Sequence, residues 1–92
     1  VRTPARIYAE LSELRIPEYK ITDGEGQTER HMTYCREMLV YLTTKRDLWV
    51  ELRKAALKDQ SVEIWAYAAT QEAAKAATTE VVLFTARNKE LI

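Results

Sequence analysis

Residues 27–92, QTERHMTYCREMLVYLTTKRDLWVELRKAALKDQSVEIWAYAATQEAAKAATTEVVLFTARNKELI, contain neither glycine nor proline. Both glycines (Gly24, Gly26) and both prolines (Pro4, Pro17) precede them. Glycine disfavours a helix through backbone entropy, proline through its missing N–H and a steric clash. A stretch this long without either, rich in Ala, Leu, Glu, Lys and Arg, reads as helix throughout.

Within it, positions 34, 38, 41, 45, 48, 52, 55, 59, 62, 66, 69, 73, 76, 80 and 83 alternate steps of four and three. They form a heptad stripe broken only by Lys45, Asp59 and Glu80. Two architectures fit an unbroken phase: one very long coiled-coil helix, or a hairpin whose arms keep register. The polar run Lys58-Asp59-Gln60-Ser61 favours the hairpin, with Asp59 or Ser61 capping a second helix near Val62. Apolar residues beside the stripe (Cys35, Leu39, Leu42, Trp49, Ile64, Trp65) widen the face beyond a two-stranded coil. The first arm carries bulky residues and the second is alanine-rich, which suits large-against-small packing. Val81 to Thr85 has strand-like composition, but no turn signal flanks it, so it is assigned to the helix.

Upstream, Thr3-Pro4 reads as a cap and first helical position, and Ile7, Tyr8, Leu11 and Leu14 share one face. Pro17 ends that helix. Asp23-Gly24 marks a turn, and Thr28 with Glu29 suits a helix start. The expected fold is all-α: an antiparallel helical hairpin plus a short N-terminal helix, bundle-like and oligomeric. The helices run over about 4–15, 28–58 and 61–90, with a loop at 17–27, in a single domain 1–92. Val1 in place of Met, and an end in helical sequence at Glu90-Leu91-Ile92, fit a piece of a longer chain.

Composition narrows the function classes. Lys and Arg number 14, as do Asp and Glu, so the formal net charge is zero; a nucleic-acid binder usually carries a basic excess. One cysteine excludes an internal disulfide and suits a reducing, cytoplasmic setting. No apolar run is long enough to span a bilayer, so no membrane role is expected.

The chemistry-bearing motifs are sparse. His31 and Cys35 stand at i, i+4, a metal-ligand spacing, but there is no second His or Cys to complete a site. As nucleophile and base they lack an orienting group. Asp23-Gly24-Glu25-Gly26 lacks the acidic spacing of a calcium loop. No catalytic residue, metal or cofactor is therefore assigned, and the chain is expected not to be an enzyme. Lys45, Arg46, Arg53 and Lys54 are the candidate nucleic-acid contacts, although acids lie among them. The five tyrosines and two tryptophans offer large contact area on a hairpin whose arms cover each other along one side only.

The expected function is a non-enzymatic protein–protein interaction or self-assembly module acting through the hairpin. Its partner is a second copy or another helical protein. The interface residues are Tyr34, Met38, Tyr41, Leu48, Trp49, Trp65, Ala69 and Ala73, with Ala69 and Ala73 at a tight helix–helix contact. The alternative is an accessory or oligomerisation domain of a nucleic-acid-handling protein, in DNA packaging or transcription, with weak nucleic-acid affinity.

Overall fold

The computed structural model describes residues 3–19, 27–58 and 64–91, with backbone alone at 27 and 64–67. Among the described residues there are three helices and no strand: α1 (Pro4–Glu13), α2 (Gln27–Lys58) and α3 (Ile64–Arg87). The expected turn at Asp23-Gly24 and the caps Asp59 and Ser61 lie outside the described residues.

α1 starts as its sequence dictates. Thr3 is extended and its Oγ1 accepts a hydrogen bond from the Arg6 N–H at 3.3 Å, while Pro4 occupies the first helical turn. It ends at Glu13, two residues before the expected boundary. Leu14 takes an extended conformation (φ −64°, ψ 139°) and its N–H reaches the Leu11 carbonyl. Leaving the helix there lets Leu14 pack on the core cluster.

α2 has 32 residues, which at 1.5 Å each gives about 48 Å; the whole molecule measures 56 Å in its longest dimension. It begins at Gln27, so Thr28 lies inside the first turn and not at the cap position expected of it. Glu29 in the first turn and Lys58 in the last complement the helix dipole. α3 runs through Val81 to Thr85 and stops at Arg87, short of the expected position 90. There the Asn88 side-chain amide and backbone N–H both donate to the Phe84 carbonyl, at 3.0 and 3.1 Å. Asparagine competes with the helical ladder in this way, and a turn at 88–91 follows.

α2 and α3 pack as an antiparallel hairpin. Near one end the Cys35 thiol donates to Asn88 Oδ1 at 3.7 Å, and further along Lys45 Nζ lies 3.3 Å from Glu80 Oε1. A single continuous helix is thereby excluded. The N-terminal segment also runs antiparallel to α2. Ile7 packs on Leu48 and Leu52, Leu14 lines a groove with Val40 and Tyr41, and Tyr19 meets His31 and Tyr34. α2 is thus the middle layer, and among the described residues α1 and α3 do not touch.

The core is small. Ile7, Leu48 and Leu52 form its centre, surrounded by Leu11, Leu14, Trp49 and Ala55. Burying Ile7 completely contributes about 1.5–3 kcal/mol. Cys35, Leu42 and Ala56 are also buried on α2; Thr70, Ala74, Ala77 and Val81 are buried on α3.

That last set corrects the heptad reading. On α3 the buried stripe is Thr70, Ala74, Ala77, Val81, one residue after the expected Ala69, Ala73, Ala76, Glu80, Leu83. Ala69, Ala76, Glu80 and Leu83 are exposed and Ala73 is half-buried. Ala69 does not sit at a tight contact with α2. One residue is about 100° of helix rotation, and the reason for it is electrostatic. The expected stripe would bury Glu80, whereas the observed one leaves its carboxylate at the edge, paired with Lys45.

Candidate functional site

Two grooves flank the hairpin. The first runs along α3 beside α2, lined by Lys45, Trp49, Ala73, Ala76, Thr79 and Leu83, with a volume of about 660 Å³. The second, about 520 Å³, lies between residues 14–17 and α2 and is lined by Leu14, Pro17, Arg36, Val40 and Tyr41. Both are long and shallow, as expected between cylinders, and suit a side chain or a helix better than a small reactant.

The first groove draws several expected interface residues together. Trp49 forms one wall, held by an edge-to-face contact with Tyr8 at 6.0 Å and 88°. Ala73 is half-buried on the opposite side. Lys45 sits at the rim between the Glu80 carboxylate and the face of the Tyr41 ring, 5.9 Å from its centroid. Met38 lies further along, with Leu42, Leu83 and Phe84. Two other expected interface residues are used internally. Leu48 belongs to the core with Ile7, and Tyr34 packs edge-to-face on Tyr19 at 5.2 Å. The Trp65 side chain lies outside the described residues.

The candidate nucleic-acid contacts do not form one patch of free cations. Lys45 is paired with Glu80, and Arg46 with Asp47 at 3.0 Å. Arg53 is half-buried and Lys54 is exposed.

His31 and Cys35 share a helix face in sequence but not an environment. His31 is exposed and meets the Tyr19 ring edge-on at 5.6 Å, whereas the Cys35 thiol is buried against Asn88. Among the described residues no three His, Cys, Asp or Glu side chains converge on a metal-sized site. Among them, too, no helix is long and apolar enough to cross a membrane.

Two features escaped the sequence reading. Tyr19 bridges the extended segment to α2, for which the only signal was an aromatic residue just after Pro17. Asn88 ends α3 and partners Cys35; an asparagine in the last helical stretch is the signal for the first role, and nothing in the sequence points to the second.

No protein family, curated protein or solved structure matches this chain.

Proposed function

We propose that this chain is a non-enzymatic protein–protein interaction module that works through the outer surface of its helical hairpin, in a cytoplasmic setting. One observation carries the reading. α3 packs on α2 alone among the described residues, and its outer surface leaves Ala69, Ala76, Val82, Leu83 and Ala86 exposed among charged and hydroxyl side chains, Ala76 and Leu83 lining the groove with Trp49. Covering such exposed apolar side chains is where a partner gains from excluding water, about 25 cal/mol per Å² covered.

The test is mass in solution by light scattering across a concentration range. A mass that rises with concentration supports self-assembly. A constant monomer removes it and leaves a different protein as the partner.

The nucleic-acid alternative gains no support from the geometry, since two of its four cations are held by acids. It is tested by titrating duplex DNA at low and physiological salt, with Lys45, Arg46, Arg53 and Lys54 changed together to Gln for comparison. Phosphate contacts release counterions, so the expected result is weak binding that disappears at physiological salt. Binding that persists there and is lost in the quadruple variant would replace the interaction reading.

A further inference from the structure

We propose that the outer stripe of α3 is the contact of an antiparallel homodimer, in which α3 of a second copy lies in the groove beside Trp49. This rests on the interaction-module reading above and names its partner.

Ala69, Ala73, Ala76, Glu80, Leu83 and Arg87 keep the four–three spacing of a coiled-coil seam, although α2 does not use it. All but the half-buried Ala73 are exposed. The stripe is graded along its length. Its first half is alanine, and its second half is a carboxylate, a leucine and a guanidinium.

That gradient selects the orientation. A parallel pair would set Glu80 against Glu80 and Arg87 against Arg87, like charges face to face. An antiparallel pair centred near Thr78 sets Leu83 over Ala73 of the second copy, the Glu80 stem over Ala76 with its carboxylate kept at the rim on Lys45, and the Arg87 stem over Ala69. Large side chains then meet small ones along the seam.

A second observation agrees. Glu72 is exposed one turn from Ala69, on the wall of the same groove. Among the described residues neither Glu72 nor Arg87 has an ion-pair partner within the chain. In the antiparallel arrangement the Arg87 guanidinium of one copy reaches the Glu72 carboxylate of the other, twice by symmetry. The zero net charge adds no long-range repulsion between copies. A single helix pair is smaller than a standard stable interface, so the dimer forms and dissociates with concentration.

The experiment places one reactive thiol at a time on the exposed seam, in Thr79→Cys and Ala69→Cys, and treats each with a short bismaleimide. Cys35 stays in place because it is 1% exposed, and the unaltered chain gives the background. Thr79 lies next to the two-fold axis and faces its own copy, whereas Ala69 and its copy stand about 27 Å apart along the axis at 1.5 Å per residue. The expected result is a cross-linked dimer from Thr79→Cys and none from Ala69→Cys. Adding Leu83→Glu, at an exposed position that leaves helicity intact by circular dichroism, abolishes the product. Cross-linking through Ala69→Cys would overturn the antiparallel arrangement. A dimer by light scattering with neither thiol cross-linked would overturn the proposed surface while the interaction reading stands. A monomer at every concentration would overturn the homodimer and leave the module with a different partner.

Discussion

Among the described residues α2 is covered on two sides and α3 on one. α2 lies between the N-terminal segment and α3, and its buried side chains are divided between them: Leu48 and Leu52 go to Ile7, while Cys35 reaches Asn88 beyond α3. α3 meets α2 alone among the described residues, through Thr70, Ala74, Ala77 and Val81, a narrow seam of mostly small side chains. Both helices are long and free of breakers, so local propensity does not separate them. The difference lies in side-chain volume. Bulky residues spread round α2 give it two faces to bury. Small ones on α3 allow close approach along one line and leave apolar surface over.

The sharpest way to break this comparison is to empty the α1 side of α2. Ile7→Ala removes the most deeply buried side chain of the core cluster, and its expected cost is about 2–5 kcal/mol in denaturant unfolding. A loss well below 1 kcal/mol would mean that the N-terminal segment contributes little to holding α2, and that α2 and α3 are more alike than described.

The α3 seam is tested by adding volume. Ala77→Leu overpacks the contact with α2 and is expected to cost about 1–3 kcal/mol. Ala69→Leu, exposed, is expected to change stability by no more than about 0.5 kcal/mol when unfolding is followed at high dilution. The reverse ranking would restore the stripe through Ala69 and Ala73 as the contact within the chain.

The smallest effect belongs to the one ion pair described between the two arms. A double-mutant cycle on Lys45→Ala and Glu80→Ala is expected to give a coupling of about 0.2–1 kcal/mol, because both groups are partly solvated. A coupling of several kcal/mol would mean that the pair is desolvated and holds the two arms together as strongly as the buried side chains do.

Much of this architecture could be read from the residues themselves. The absence of Gly and Pro after position 26 placed the long helices, Lys58-Asp59-Gln60-Ser61 separated them, and Thr3-Pro4 placed the start of α1. The rotation of α3 was not legible. Ala69 and Ala74, or Ala73 and Ala77, are chemically identical, so an alanine-rich helix does not mark which of its sides is buried. Only Glu80 discriminates, and its partner Lys45 is distant in sequence. Trp49, expected at an interface, lies half-buried on a groove wall. Its contact with Tyr8 depends on how the N-terminal segment folds back, which no local pattern encodes.

That double fold-back governs how the chain can reach its structure. Tyr19 meets His31 only 12 positions away, and from there the N-terminal segment pairs with progressively more distant parts of α2 until Ile7 reaches Leu52. α3 does the same from the opposite end of α2. Each sequence of contacts can close like a zipper from a short loop, so no single step has to pay the entropy of bringing together residues that are already far apart along the chain. Loop-closure entropy rises with the logarithm of loop length, and proteins that avoid long closures fold quickly. The middle helix is therefore a template that two independent zippers read in opposite directions.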